Sequence, residues 1–376
     1  MVLSLYLDHA ATSPLRPEAR EAFLRACELG GNASSVHSVG RKAKVLLEDA
    51  RATILRKLGA TGKAGLVFTS GGTEANALAL HQAGAFDYLV ISQGEHDSIF
   101  NGVALVAKPV VHVPLTSDGQ ADLTVLKQKL GEAEGRAFVC LMLANNETGV
   151  LSEIAGAAEI VHAHGGWLHV DAIQAFGKID IDFSRLNADS LSLSAHKVGG
   201  PQGVGALICD RDRVIRPATA GGGQELGMRA GTENIPGIAA FAAAAEACQG
   251  LSDDLLLAQS VVEAHLKAKG ATIVGEGAAR VPGVLSLAQD HWASNLQLIH
   301  MDMAGICVST GSACSSGKVK PSRVIAAIGR ESQADKALRV SAGWTTAPDD
   351  WHRFYDVWSK GYENYLKRHA REKELS

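Results

Sequence analysis

The chain has 376 residues, which at roughly 100 to 200 residues per domain allows about two or three folding units and excludes a small disulfide-stapled scaffold. Apolar residues make up 46% of the chain and charged residues 20%, which excludes a disordered protein. The net charge is -4, so there is no general electrostatic attraction for nucleic acid or for an anionic membrane, and neither is a predicted partner.

From residue 17 to residue 250, helical periodicity alternates with short apolar runs. This alternation is typical of βαβ units around a mainly parallel sheet, and several runs are apolar throughout, as strands covered on both faces require. The seven predicted strands are Gly65–Thr69, Tyr88–Ser92, Val110–Pro114, Ala137–Leu143, Trp167–Asp171, Asp189–Ser194 and Gly205–Cys209. Helices are predicted between them, among others over residues 74–83 and 153–164. The predicted fold class is α/β.

Beyond Gly250 the pattern changes to that of a smaller α+β unit. A helical pattern extends to Lys269, and two short apolar runs follow at 284–288 and 306–309. The last predicted helix has one aromatic face, which we assign to packing. This face consists of Trp351, Phe354, Tyr355, Trp358, Tyr362 and Tyr365. We predict a large domain over residues 16–250 and a small domain formed by residues 1–15 and 251–376.

The N-terminus and the cysteines predict a cytoplasmic protein. The first residues lack a basic stretch and reach a charge at Asp8, which does not fit a secretory signal. The longest apolar run, Ile235 to Ala245, is shorter than the about 20 residues of a membrane span and predicts a buried helix. Six cysteines are dispersed without a CxxC pair, which favours reduced thiols over a disulfide framework or a zinc site. No metal site is predicted.

Three polar segments follow predicted strands, at the edge where open α/β sheets bind ligands. The turn Gly71-Gly72-Thr73 leads into a helix start, which favours a phosphate but also fits an ordinary capped turn. Asp171 ends a strand and can either hold a protonated ring nitrogen or cap the next helix. Lys197 follows a strand among small residues; a partly buried lysine there has a lowered pKa and forms Schiff bases, with an ordinary loop lysine as the alternative.

A fourth segment, residues 306–317, contains two cysteines. Cys307 lies in an apolar run and is expected in the core, whereas the Gly, Ser and Ala residues around Cys314 favour an exposed sulfur. Exposure is what a nucleophilic thiol needs, and an idle surface thiol is the alternative.

A single cofactor would use these segments together. Pyridoxal 5'-phosphate (PLP) needs an amine for its aldehyde, an acidic partner for its pyridinium nitrogen and a phosphate cradle. Lys197, Asp171 and the Gly71–Thr73 turn supply these groups. Signature motifs of dinucleotide, P-loop, zinc-protease and serine-hydrolase sites do not occur in the sequence. PLP is therefore the predicted cofactor.

Several motifs, taken together, resemble those of the cysteine desulfurases of the NifS/IscS type. In chain order they are SGGTEAN, GEHDS, ANNETG, HVDAIQ, SAHKVGGPQG, GGGQELGMRAGTEN and STGSACSSG. The resemblance extends from LYLDHAAT near residue 5 to ALRVSAGWTT near residue 346. It implies the class V aminotransferase-like branch of PLP enzymes of fold type I.

The resemblance implies roles for particular residues. Lys197 would bind the PLP aldehyde, Cys314 would receive the sulfur, and His96 would stack on the ring and transfer protons. Asp171 would pair with the ring nitrogen and Gln174 with the ring hydroxyl. The other implied cofactor contacts are Gly72, Thr73, Asn146, Ser194 and His196, with Thr232 donated by the second subunit of a homodimer. The implied substrate contacts are Arg339, Asn32 and Asn146, and a guanidinium suits a carboxylate.

The implied reaction converts L-cysteine to L-alanine. Lys197 would remove the Cα proton while Asp171 keeps the ring protonated, and Cys314 would then attack the substrate sulfur and carry it as a persulfide. The persulfide would pass to an acceptor such as an iron-sulfur scaffold protein, and Cys314 could contact a transferred cluster. The alternatives are a selenocysteine lyase or another PLP-dependent C–S lyase that does not use Cys314, a catalytically silent PLP-fold protein, and a sugar- or nucleotide-phosphate binder.

Overall fold

The structure is a computed structural model, and it describes residues 4–211, 215–310 and 320–375. Its strands are β1 (Leu5–Tyr6), β2 (Ala64–Thr69), β3 (Tyr88–Ser92), β4 (Val110–Val113), β5 (Ala137–Met142), β6 (Trp167–Asp171), β7 (Ser190–Ser194), β8 (Gly205–Asp210), β9 (Thr272–Ile273), β10 (Val284–Ala288), β11 (Ile306–Cys307) and β12 (Ala337–Ser341). Its helices are α1 (Pro17–Leu29), α2 (Ser38–Lys57), α3 (Gly72–Gln82), α4 (Asp97–Phe100), α5 (Leu123–Glu132), α6 (Ile154–Ala163), α7 (Phe183–Leu186), α8 (Ile235–Ala247), α9 (Asp253–Ala268), α10 (Ser294–Met303), α11 (Arg323–Ala327) and α12 (Pro348–Leu375).

The seven predicted strands form one sheet in the order β2-β8-β7-β6-β5-β3-β4. Strands β3 to β7 pair in parallel, while β8 is antiparallel to both neighbours. Each predicted strand agrees with the structure to within one residue at either end. The prediction of a mainly parallel α/β sheet is therefore confirmed.

Apolar side chains cover both faces of this sheet. Along β3, Val90 packs into one core while Leu89 and Ile91 pack into a second core on the opposite face. Neighbouring residues of a strand point to opposite faces, so a strand that is apolar throughout contributes to both cores. Helix α8 is buried as predicted, with Phe241 fully inaccessible.

The segments after residue 250 build a further core around an antiparallel sheet in the order β12-β10-β9. Strand β1 pairs in parallel with β11, and Leu5 and Leu7 join this core. The aromatic face of α12 packs here as predicted, with Trp351 and Trp358 fully buried. The domain boundaries themselves stay a prediction.

Cys307 is only half-buried, which corrects its expected core position. Ile306 occupies the core-facing place in β11, and the next residue of a strand points the other way. No helix within the described ranges combines the length and the apolar character needed to cross a membrane.

Candidate active site

A cavity of about 290 Å³ lies at the carboxyl ends of the parallel strands. Most of the predicted site residues line it: Gly72, Thr73, His96, Asn146, Asp171, Gln174, Ser194, His196, Lys197 and Arg339. A larger groove of about 960 Å³ opens between α1, α2 and α8, but its lining includes none of these residues. The strand-end cavity is therefore the candidate site.

Lys197 reaches the cavity from a single 3₁₀ turn, Ala195–Lys197, that follows β7. Its Nζ donates to the carbonyl oxygens of Ala10, at 2.8 Å, and Ala11, at 2.7 Å. Burial lowers the pKa of Lys197 to about 8, with a further lowering by the Arg339 cation and a partial opposing effect from Asp8 and Asp171. A substantial fraction of this amine is unprotonated near neutral pH, as a nucleophilic lysine requires.

Asp171 is the last residue of β6 and is 1% exposed. Its Oδ2 accepts from Asn76 Nδ2 at 2.8 Å and its Oδ1 from the backbone N–H of Ile173 at 3.0 Å. Burial raises its pKa, while these donors and the nearby His96 and Lys197 oppose that rise. A cationic ring nitrogen in the cavity would supply the counter-charge that this buried carboxylate needs.

His96 is exposed at the start of α4, on the cavity wall. Its Nδ1 accepts the backbone N–H of Ser98 at 3.1 Å. In the neutral ring the proton therefore lies on Nε2.

A second part of the cavity wall fits a phosphate. Thr73 lies in the first turn of α3, where backbone N–H groups lack partners within the helix. Helix α3 begins at Gly72, two residues before its predicted start. Gly72 packs closely against neighbouring side chains, since a Cβ there would lie 2.3 Å from Ile173 Cδ1 and 3.3 Å from Ser194 Cβ. Burial, with the cations of Lys197 and Lys178, lowers the pKa of His196 to about 4, so this ring is neutral.

Arg339 enters the cavity from β12 and is 4% exposed. Its Nη1 donates to the carbonyl oxygen of Asn146 at 2.7 Å, and its Nη2 pairs with Asp8 Oδ1 at 2.9 Å. Its Nε is buried and has no hydrogen-bond partner within the described structure. A guanidinium on the cavity wall suits a substrate carboxylate.

Gln174 is held by groups that the sequence did not predict. Its Nε2 donates to the Ala10 carbonyl at 2.8 Å, and its Oε1 accepts from Lys178 Nζ at 2.6 Å. Burial lowers the pKa of Lys178 to about 7, and the Lys197 cation contributes. No residue pattern around Lys178 distinguishes it from a surface lysine.

The cavity does not collect every predicted residue. Asn32 is exposed in the turn before α2, where its Oδ1 accepts from the Ser34 N–H, and it does not line the cavity. Thr232 is exposed beside a different, small pocket next to Arg229. Cys314 lies outside the described residues. The roles of these three residues stay predictions.

Asn76 and His169 were missed as functional candidates, although both lie within quoted motifs. Asn76 follows Thr73 by three residues on α3, and His169 precedes Asp171 by two residues on β6. Spacings of three on a helix and two on a strand place side chains on one face, so these positions could have been found.

The site offers a reactive amine, a buried carboxylate and a helix start with hydroxyl groups, and this set of groups fits PLP. On the mainly parallel sheet described above, the arrangement defines the class of PLP-dependent enzymes of fold type I.

The comparisons with known proteins give the family. The model for "Aminotransferase class-V" matches residues 5–354. The chain belongs to this family of PLP-dependent enzymes.

Similar proteins carry desulfurase names. A "Cysteine desulfurase" of Cereibacter sphaeroides is 39% identical over 359 residues, 92% of each chain. An "IscS-like cysteine desulfurase" of Mycobacterium tuberculosis is 36% identical over 366 residues, 92% of this chain and 93% of the relative. The X-ray structure of a NifS-like protein from Rickettsia africae has a TM-score of 0.89 at 33% identity and covers 96% of this chain and 99% of that one. The predicted resemblance and fold type are confirmed.

Proposed function

We propose that this chain is a PLP-dependent cysteine desulfurase, which converts L-cysteine to L-alanine and moves the sulfur through Cys314 to an acceptor. The main support is the convergence on one cavity of Lys197 after β7, Asp171 at the end of β6 and Arg339 within β12. PLP, when bound, supplies an aldehyde that condenses with amines and a pyridinium ring that withdraws electrons from the substrate carbon.

The side chains around the cavity divide the remaining tasks. Arg339 would hold the substrate carboxylate through its guanidinium, and Asn146 would orient the substrate beside it. Lys197 would accept the Cα proton at Nζ, for which its lowered pKa is suited. Asp171 would keep the ring nitrogen protonated, and Gln174 would contact the ring hydroxyl. His96 would cover the ring face and donate a proton from Nε2.

The cofactor phosphate would lie against Gly72, Thr73, Ser194 and His196. The N–H groups at the start of α3 favour an anion, and the neutral His196 ring can donate a hydrogen bond without adding charge.

The ends of the segment that contains Cys314 lie beside the cavity. Ser309 lines the cavity, and its backbone exchanges two hydrogen bonds with Arg339, at 3.1 and 2.6 Å. After the segment, Ser322 Oγ donates to Glu147 Oε2 at 2.5 Å, next to Asn146. Cys314 is five residues from Ser309, so covalent geometry limits the separation of their Cα atoms to about 18 Å. This limit is compatible with the proposed attack by Cys314 on the substrate sulfur.

In the sulfur-transfer step, the Cys314 thiolate attacks the sulfur of bound cysteine. An S–S bond forms, the Cβ–S bond breaks, and its electron pair stays with Cβ, which takes up a proton to give alanine. A thiolate of the acceptor then attacks the outer sulfur of the persulfide and frees Cys314. The two-electron change stays within the sulfur and carbon atoms, so no further oxidant is required.

The acceptor, the assembly and the location belong to the same proposal. We infer an acceptor protein such as an iron-sulfur scaffold, and a homodimer in which each chain donates Thr232 to the other site, since Thr232 is exposed and lies away from its own cavity. We also infer a cytoplasmic location, because the five described cysteines are free thiols. The core shared by β1 and the segments after residue 250 supports the predicted domain boundaries.

The direct test is peptide mass spectrometry of the holoenzyme after incubation with L-cysteine. We expect a gain of one sulfur atom on the peptide that contains Cys314, and we expect Cys314→Ala to lose both this gain and alanine production. Cys27→Ser is the matched control, since Cys27 is an exposed thiol on α1 and is distant from Cys314 in the sequence. This variant should gain the sulfur and produce alanine as the original protein does. Undiminished alanine production by Cys314→Ala would reject the proposed role and favour a C–S lyase that does not use this residue.

A further inference from the structure

Asn76 lies at the centre of a buried hydrogen-bond network behind the cavity. It is fully buried on α3, and the structure satisfies all four of its carboxamide positions. Its Nδ2 donates to Asp171 Oδ2 and to Ser98 Oγ, both at 2.8 Å. Its Oδ1 accepts from Ser192 Oγ at 2.5 Å and lies 3.1 Å from His169 Nε2. A fully satisfied amide of this kind can hold only one orientation, because a flip would turn its oxygen toward the Asp171 carboxylate.

The partners of His169 determine the direction of the network. Trp167 Nε1, which can only donate, lies 3.0 Å from Ser190 Oγ, and Ser190 Oγ lies 2.9 Å from His169 Nδ1. The Oδ1 of Asn76 can only accept, so the His169 ring proton lies on Nε2 and points at Asn76. The unprotonated Nδ1 then accepts from Ser190 Oγ, which itself accepts the Trp167 N–H. The ring is fully buried, and burial lowers its pKa to about 3, so it stays neutral.

The second N–H of Asn76 leads to His96. Ser98 Oγ accepts this N–H and lies 2.8 Å from His96 Nδ1, to which the backbone N–H of Ser98 also donates. The Ser98 hydroxyl and backbone N–H both face Nδ1, and together they restrain the His96 ring. Two groups that line the cavity, Asp171 and His96, are thus both oriented through one carboxamide.

We propose that Asn76 is the shared positioning residue of this site: its carboxamide, locked by His169 and Ser192, orients Asp171 directly and His96 through Ser98. The inference deepens the proposed function, because Asp171 and His96 act on the cofactor only if that function holds. Asn76 itself does not line the cavity, so it acts through its neighbours rather than on the reacting atoms.

The first test does not depend on catalysis. In the cofactor-free protein with ¹⁵N-labelled histidine, we expect His169 near pH 7.5 as a single tautomer with a protonated Nε2 and an unprotonated Nδ1, and we expect the same tautomer for His96. In Asn76→Ala, the His169 Nε2 proton loses its acceptor, so the His169 ring should give mixed tautomers. The Ser98 backbone N–H still holds the His96 tautomer, but the Ser98 hydroxyl loses its donor, so the His96 ring signals should shift. An original protein with His169 protonated on Nδ1, or an Asn76→Ala variant with unchanged ring signals, would overturn the proposal.

The second test measures PLP binding to the cofactor-free protein by absorbance titration. Asn76→Ala should raise the Kd for PLP roughly tenfold, the size expected when a buried carboxylate loses a charge-assisted hydrogen bond. Gln297→Ala is the matched control: Gln297 is a fully buried amide with hydrogen bonds to Trp292, Lys336 and Trp358, far from the cavity. Gln297→Ala should lower the free energy of unfolding by a similar amount but leave the Kd for PLP and the histidine tautomers unchanged.

The two tests separate the two proposals. If the histidine signals behave as expected but the original protein does not bind PLP, the proposed function fails while the network stands. If PLP binds normally and Asn76→Ala affects the Kd no more than Gln297→Ala does, the positioning role of Asn76 is rejected.

Discussion

Lys197 is reactive because of its immediate surroundings rather than its residue type. Its Nζ has two carbonyl acceptors but, within the described residues, no carboxylate in direct contact, and burial, with a smaller contribution from the Arg339 cation, lowers its pKa to about 8. An exposed lysine, with a pKa near 10.4, would be almost fully protonated at neutral pH.

The lowered pKa of Lys197 predicts how the rate of covalent PLP binding depends on pH. Only the unprotonated amine attacks the aldehyde, so the rate for the cofactor-free protein should rise with pH and level off above pH 8. Below pH 7 it should fall by about tenfold per pH unit, as for any single protonation. Stopped-flow absorbance between pH 6 and 10 measures this rate, with Lys197→Ala as the baseline for non-covalent binding.

The Arg339→Met variant tests how much the Arg339 cation contributes to the lowered pKa of Lys197. Arg339→Met removes the nearby cation without touching the amine, so the midpoint of the pH profile should move upward. A midpoint near 10 in the original protein, or a downward shift in Arg339→Met, would contradict this account of Lys197.

At the scale of secondary-structure elements, an ion pair covers the β2 edge of the large sheet. Strand β2 is an edge strand, and the backbone N–H of Phe68 donates to Glu225 Oε2 at 2.9 Å. Arg51 on α2 holds both carboxylate oxygens of Glu225, at 2.9 and 3.0 Å, and its guanidinium lies over the Phe68 ring. Capping an edge strand in this way also prevents pairing with another chain.

Glu225→Ala should therefore lower the free energy of unfolding by about 3 kcal/mol, because the half-buried Arg51 cation keeps only the exposed Glu48 as an ionic partner and the Phe68 N–H loses its acceptor. Urea unfolding of the cofactor-free protein measures the change. Glu21→Ala is the control: the Glu21–Arg25 pair on α1 is exposed, and its loss should cost at most about 1 kcal/mol. Equal effects of the two substitutions would show that the edge contact contributes little.

At the scale of the whole molecule, the position of Thr232 makes a specific prediction about assembly. Thr232 is exposed and does not line the cavity of its own chain, whereas the proposed homodimer would bring it to the partner's cofactor. Lys197→Ala chains should be inactive, and Thr232→Ala chains should bind PLP roughly tenfold more weakly after the loss of one phosphate hydrogen bond.

Mixing these two variants should restore activity at limiting PLP. A mixed dimer contains one complete site, with Lys197 from one chain and Thr232 from the other. Alanine production after subunit exchange measures the recovery, and sedimentation checks that dimers form. If Thr232 acted within its own chain, or if the protein were a monomer, mixing would give no recovery.

The local pattern of the sequence was sufficient for the elements and for part of the site. Most strands buried on both faces are strongly apolar, so their positions were visible without partners. Asp171 and Lys197 could be assigned because parallel strands bring their carboxyl ends to one edge. The motifs added the family, which the comparisons confirm.

Tertiary structure alone decided the contacts between distant segments. Asn76 and Asp171 are 95 positions apart, and Arg339 and Asp8 are 331 apart, so no local periodicity reports that they meet. The lowered pKa values of Lys197 and Lys178 likewise come from burial and from cations on other elements. Local residue patterns determine secondary structure and the placement of chemistry at its ends, whereas orientation and charge state depend on neighbours that only the folded chain brings together.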